Sequence, residues 1–138
     1  MVFKNDFLDS SFLIALLIKN DTYHIKAHKL KQLFENERIM INNTVLTEVM
    51  NSLKINKNKK NYILEMDFIF DFLINDIEFS YLTKKDYIES KKLFKEYNQA
   101  INYSDCTIIK TMQNNKVNQI ISFDTDFDKI KSIKRIHL

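Results

Sequence analysis

Four carboxylates in this chain stand where chemistry could use them: Asp9, Glu48, Asp105 and Asp124. Asp9 lies within Asn5–Ile18 (NDFLDSSFLIALLI), between a short apolar stretch and an unbroken apolar run, so an acid falls where the chain turns inside the protein. Burying an unpaired charge costs several kcal/mol at least, so Asp9 needs a partner: a backbone N–H, a Lys or Arg, or a metal ion. Glu48 shares a polar stripe with Thr44 and Asn51, opposite Leu46, Val49, Met50 and Leu53. Asp105 heads the apolar stripe Ile108, Ile109 and Met112, and Asp124 ends the apolar run QIISF. Four carboxylates about 5 Å apart repel by roughly 3 kcal/mol per pair at an effective dielectric of 20. A hard divalent cation such as Mg²⁺ relieves that repulsion with oxygen ligands, and one or two such ions polarise a phosphodiester, activate water and stabilise the leaving oxygen.

Taken singly, each acid has a plainer reading. Asp9 and Asp124 suit helix N-caps, Glu48 a surface glutamate, and Asp105 the cap of a helix starting at Cys106. Their joint placement favours the functional reading. Asp124, Asp126 and Asp128 match positions 1, 3 and 5 of an EF-hand loop, but Lys129 stands where glycine is required and Arg135 where a bidentate Glu is required, which excludes calcium of that kind. The same DxD run is followed by too little chain for a haloacid-dehalogenase-type phosphatase. His24 and His28, four apart, have no third ligand in view and read as packing or surface residues. Cys106 reads as a small buried hydrophobe. Lys54, Lys57, Lys59 and Lys60 form a solvated run with at most a minor part in holding phosphate.

Composition narrows the classes. The 138 residues, 45% hydrophobic and 28% charged, suit one globular domain with one core. The apolar run Phe12–Ile18 is far shorter than the roughly 20 residues of a membrane span, and no signal-peptide pattern precedes it, so the expected compartment is the cytoplasm. One cysteine excludes disulfides within the chain and zinc sites built from several thiolates. The absence of glycine excludes Walker A loops, dinucleotide fingerprints and kinase glycine loops, all of which need close backbone approach to phosphate. The net charge of +3 favours an anionic partner only weakly, because the Lys-, Asn- and Ile-rich composition is what an AT-rich genome encodes.

The elements that must position the acids alternate. A strand ends at Phe7–Leu8 and is followed by a helix over Ser10–Ile18 and another over Asn20–Phe34, with Ile25, Leu30, Leu33 and Phe34 facing the core. Arg38–Asn42 is a buried strand, Asn43 to about Lys54 a helix, and Lys54–Asn61 a loop. A helix with the stripe Tyr62, Met66, Ile69, Phe70 and Leu73 precedes a strand over Ile77–Leu82. Helices over Lys84–Asn98 (Tyr87, Phe94 and Tyr97 on one side) and Ser104–Asn115 precede the strand Gln119–Phe123, and Ser132–Leu138 supplies a last edge strand. This alternation predicts an α/β/α sandwich around a mainly parallel sheet of four to five strands, with the acids at the carboxyl edge.

With these residues assembled, the chain resembles the PIN-domain family, in particular the VapC-like toxins of type II toxin–antitoxin pairs. The resemblance runs nearly end to end through LDSSFLIAL, DTYHIKA, NNTVLTEVMNSL, NYSDCTIIKTM and IISFDTDFDKI. It matches Asp9, Glu48, Asp105 and Asp124 to the family's metal-binding quartet, Thr44 to a position where a hydroxyl often lies near the metal, Ser10 to a residue orienting Asp9, and Asp126 to a more variable accessory position. It implies a Mg²⁺- or Mn²⁺-dependent endoribonuclease, usually a homodimer, silenced by a cognate antitoxin. The alternatives are a housekeeping PIN nuclease and a nucleic-acid-binding module without chemistry.

Overall fold

The computed structural model describes residues 5–33, 37–56, 60 and 62–137. Five short strands, β1 (Asn5–Leu8), β2 (Arg38–Asn42), β3 (Glu78–Ser80), β4 (Gln119–Ile121) and β5 (Lys134–Ile136), form one sheet in the order β3-β2-β1-β4-β5. Every pairing is parallel, and Phe7 of the central β1 stands opposite Met40 on one side and Ile120 on the other. Consecutive residues Phe7 and Leu8 are both buried, as expected of a strand covered on both faces. The covering helices are α1 (Ser10–Leu17), α2 (His24–Leu33), α3 (Asn43–Ser52), α4 (Tyr62–Asn75), α5 (Lys84–Glu96) and α6 (Tyr103–Asn114). The result is the α/β/α architecture expected from the alternation, with a wholly parallel five-stranded sheet. Among the described residues no helix is long and apolar enough to cross a membrane.

Several boundaries differ from the sequence expectation, each for a local reason. The second helix begins at His24, because the Asp21 carboxylate accepts from the Tyr23 backbone N–H at 2.9 Å and holds Asp21–Tyr23 as a turn. Its buried line is Ala27 and Leu30, so Ile25 and Leu33, expected in the core, are exposed; Phe34 lies outside the described residues. On α4 the buried positions are Ile69 and Leu73, while Phe70 faces solvent. On α5 Tyr87 is exposed, and Phe94 and Tyr97 pack against the core. The stretch after α3 opens with a 3₁₀ turn over Leu53–Asn56; of the lysines placed in that loop, Lys57 and Lys59 lie outside the described residues. β4 ends at Ile121, so Ser122 and Phe123 leave the sheet and can face the site.

With no glycine, helix ends that demand left-handed backbone use other residues. After α6 the N–H of Val117 reaches the Met112 carbonyl at 2.9 Å, closing the helix around Lys116, whose φ is 55°. After α5, Asn98 and Gln99 take φ of 50° and 60°, and Gln99 N–H bonds the Phe94 carbonyl at 3.0 Å. A side chain with a Cβ in this conformation costs about 1 kcal/mol. Lys116→Gly is therefore expected to raise the unfolding free energy by about 1 kcal/mol less the added freedom of the unfolded chain, as read by urea denaturation; a loss of stability would show that Lys116 carries no such strain.

Candidate metal centre

The strand order reverses between β1 and β4, and in open parallel sheets the crevice at the carboxyl ends of such a pair is the place for a site. Asp9 follows β1 directly, and its N–H bonds the Ile121 carbonyl at 3.1 Å. Asp9 occupies the N-cap position of α1, yet its side chain makes no cap hydrogen bond. Its Oδ2 instead accepts the hydroxyls of Ser11 at 2.8 Å and Ser122 at 2.6 Å. Both serines are held in turn: Phe123 N–H donates to the Ser11 oxygen at 3.0 Å and Asp124 N–H to the Ser122 oxygen at 2.9 Å. Arg135 donates to the Ser122 carbonyl at 3.1 Å and grips Asp128 through two nitrogens, at 2.9 and 3.0 Å. Asp124 does cap: its Oδ1 accepts the Asp126 N–H at 2.9 Å, opening a 3₁₀ turn over Thr125–Lys129.

The other two acids arrive on helices. Asn42, fully buried at the end of β2, caps α3 by accepting the Val45 N–H at 3.2 Å and donates its amide to the Thr111 hydroxyl at 2.8 Å. The hydroxyls of Thr44 and Thr107 meet at 2.6 Å. These bonds clamp α3 to α6 one turn from Glu48 and two residues from Asp105. From the other side, Asn114 of α6 donates to Asp86 at 2.9 Å, and Asp86 completes a capping box with Thr83 at the start of α5. The helix carrying Asp105 is thus held on two flanks by polar bonds. Asp105 lies in the first turn of α6, whose N-cap is Asn102, and so is not the cap itself.

Together these elements collect the carboxylates. Oxygens of Asp105, Asp124 and Asp126 lie within 4.8 Å of one another. Burial pushes the Asp105 carboxyl up to about 7, and the charges of Asp9, Asp124, Glu48 and Asp126 push it the same way. Burial likewise pushes Glu48 up to about 7, aided by Asp9, slightly by Asp124, and offset in part by the Ser10 hydroxyl. Asp9 is raised by burial, against the opposing pull of the Ser122 and Ser11 hydroxyls and the Ser10 backbone. Glu48 Oε1 and Asp105 Oδ2 are buried without a hydrogen-bond partner. Among the described residues no Lys or Arg pairs with Asp9, Glu48, Asp105 or Asp124; Lys129 pairs with Asp126 at 2.9 Å and with the Ala100 carbonyl at 3.1 Å. All-oxygen donors with two unsatisfied buried oxygens fit a hard divalent cation.

The four acids singled out in the sequence form one mutually interacting group. Among the accessory residues, Asp126 joins Asp105 and Asp124, the Ser10 hydroxyl acts on Glu48 and its backbone on Asp9, and Thr44 bonds Thr107. Ser11 and Ser122 were missed; the available signal was a hydroxyl two residues from an acid, in Asp9-x-Ser11 and in Ser122-x-Asp124. Asp128 faces Arg135 and takes no part in the cluster. His24 Nδ1 donates a hydrogen bond to the Ala15 carbonyl at 2.8 Å and its ring packs edge-on against His28. The Cys106 thiol is buried and pushed up to about 11, which leaves it unreactive.

The family model for the PIN domain matches residues 7–133. The chain belongs to the PIN domain family. Among solved structures, this PIN domain superposes on the toxin VapC20 of Mycobacterium tuberculosis, described as cleaving the sarcin–ricin loop, with a TM-score of 0.79 at 18% identity over 96% of this chain and 99% of that one. It is also similar to VapBC-1 of nontypeable Haemophilus influenzae (TM-score 0.66, 19% identity, 96% and 97% covered) and to a toxin–antitoxin complex from Klebsiella pneumoniae (TM-score 0.66, 19% identity, 94% and 95% covered). No curated protein sequence matches the chain.

The raised carboxyls set a pH dependence. Glu48 and Asp105 bind protons more tightly folded than unfolded, so the stability they contribute is full below about pH 4 and lost as pH rises through about 7. In the absence of divalent ions the unfolding free energy is expected to fall between pH 5 and pH 8, by on the order of 3 kcal/mol for this coupled pair. Asp105→Asn is expected to flatten the profile, and Mn²⁺ to restore stability at pH 8. A Tm that rises from pH 5 to pH 8 without metal would contradict this assignment.

Proposed function

We propose that residues 1–138 form a single nuclease domain: a Mg²⁺- or Mn²⁺-dependent endoribonuclease, the toxin of a type II toxin–antitoxin pair, acting on RNA in the cytoplasm. The observation that carries the reading is the pair of unpartnered buried oxygens on Glu48 and Asp105, set among Asp9 and Asp124 with no Lys or Arg paired to these four among the described residues. A cluster of this kind persists because a cation joins it in use, and phosphodiester hydrolysis is the chemistry that such oxygen-rich centres serve.

Asp9, Glu48, Asp105 and Asp124 would hold the ion, with Asp126 at its margin. When bound, the ion supplies charge neutralisation of the phosphate and lowers the pKa of water. The protein's own groups do the rest. Ser11 and Ser122 keep Asp9 from turning away to cap α1. The Asn42, Thr107 and Thr111 bonds fix the spacing between α3 and α6, and hence between Glu48 and Asp105. A carboxylate oxygen of Asp105 or Glu48 left free of the ion would accept the proton of the attacking water. The new bond to phosphorus forms as the bond to the leaving oxygen breaks, and that oxygen takes a proton from solvent.

The partner side of the proposal, a cognate antitoxin and a homodimer, draws on relatives solved as toxin–antitoxin complexes and on the apolar surface that α4 leaves open at Ile63, Leu64 and Phe68, each more than 60% exposed. Purified protein incubated with total RNA is expected to cut only with Mg²⁺ or Mn²⁺ and not with EDTA. Asp105→Asn is expected to cut at least ~100-fold more slowly while keeping its circular dichroism spectrum. Equal cutting by wild type and Asp105→Asn would refute the site.

A further inference from the structure

Beside the carboxylates lies an aromatic pair that the cleavage chemistry does not use. Tyr23 and Phe123 stack with ring centroids 4.7 Å apart and planes within 14°. Phe123 sits between Ser122 and Asp124 in the chain, and its N–H bonds the Ser11 oxygen that in turn donates to Asp9, so the backbone that carries the Phe123 ring is one hydroxyl removed from the cluster. Behind it, the buried Phe12 supports Phe123 at 6.4 Å. Tyr23 is 44% exposed at the outer end of this row, and the Asp21 carboxylate fixes its backbone at the entry to α2.

Charge follows the ring. The helix that Tyr23 introduces reads HIKAHKLKQL, without one acid. Lys26 stands three residues beyond Tyr23 and Lys29 three beyond that, both exposed, on the spacing that puts side chains along one face. The Lys26 ammonium lies over the Tyr23 ring, 5.7 Å from its centroid, a cation–π contact that an incoming base would displace. A lid over Phe123 needs only an apolar residue; it needs neither an exposed ring nor a row of lysines leading away. A ring on a rigid support followed by cations is instead how single-stranded nucleic acid is held, with bases on aromatic faces and phosphates on basic side chains.

We propose that Tyr23, Lys26 and Lys29 form the platform that positions an RNA strand at the carboxylate site: a base neighbouring the scissile phosphate stacks on Tyr23, and the backbone leading away runs along Lys26 and Lys29. This rests on the nuclease reading above. These are positioning residues, remote from the reacting atoms.

The test uses the Asp105→Asn protein, so that binding is measured without cutting, and fluorescein-labelled single-stranded RNA of mixed sequence in an anisotropy titration. Tyr23→Leu in that background is expected to weaken binding roughly tenfold, the order of one base stack, while Tyr23→Phe keeps it. Lys26→Gln and Lys29→Gln are each expected to reduce the salt dependence of binding by about one ion. An RNA with one abasic position in the right register should bind the Tyr23 protein as weakly as intact RNA binds the Tyr23→Leu protein, with no further loss when the two are combined. In the cutting-competent protein, Tyr23→Leu should raise KM with kcat little changed. Unchanged affinity in Tyr23→Leu, a loss that no abasic position reproduces, or no RNA binding at all would overturn the platform. Absence of metal-dependent cutting by wild type, with the Tyr23 binding effects intact, would instead overturn the nuclease reading.

Discussion

The repulsion among buried carboxylates is the constraint on which the rest of this structure depends. Asp9 and Asp105 are almost wholly removed from water, Glu48 is partly so, and burial, with the charge of neighbouring acids added, raises the affinity of each for protons. Left to themselves such groups would splay apart or protonate. The fold prevents the first by attaching each acid to a different rigid element and bonding those elements to one another around the cluster. The second remains, and it is what the proposed cation would relieve.

The clamps divide into two sets with different work. Around Asp9 one bond is local and one long-range in sequence: Ser122 reaches back across 113 positions to the same carboxylate oxygen as Ser11. Arg135, on the edge strand, holds the Ser122 carbonyl and Asp128 together, so the last strand buttresses the first acid. Around Glu48 and Asp105 the bonds run between helices, through Asn42, Thr44, Thr107 and Thr111. A buried amide and three hydroxyls in satisfied bonds specify one relative placement of α3 and α6, which apolar contacts alone would leave free to slide.

Asp9, Asp105 and Asp124 stand out in the sequence because each adjoins an apolar run, whereas Glu48 lies on a polar stripe and joins them through the family resemblance. The alternation of elements was legible from the apolar runs as well, and it led to the parallel sheet. The serine clamps were not, because a hydroxyl next to an acid is common and only the pairing of β1 with β4 brings Ser122 to Asp9. Thr44, expected from the family resemblance beside a metal, instead bonds the Thr107 hydroxyl, a contact set by how α3 and α6 cross. The second helix was the least legible: Ile25 and Leu33 are apolar, yet the turn at Asp21 starts the helix late and rotates them outward, leaving Ala27 and Leu30 to pack. The same turn presents Tyr23 beside Phe123, a juxtaposition of residues a hundred positions apart that no local pattern contains.

The central claim, that the raised carboxyls and the cation site are the same groups, is tested most directly by titrating Mn²⁺ into the protein at pH 7 in two buffers of different ionisation enthalpy and reading the protons released. With Glu48 and Asp105 both near half-protonated at that pH, binding should release about one proton in total, and Asp105→Asn should bind weakly and release fewer. Mn²⁺ binding without proton release, or tight binding by a protein lacking both Glu48 and Asp105, would contradict the account.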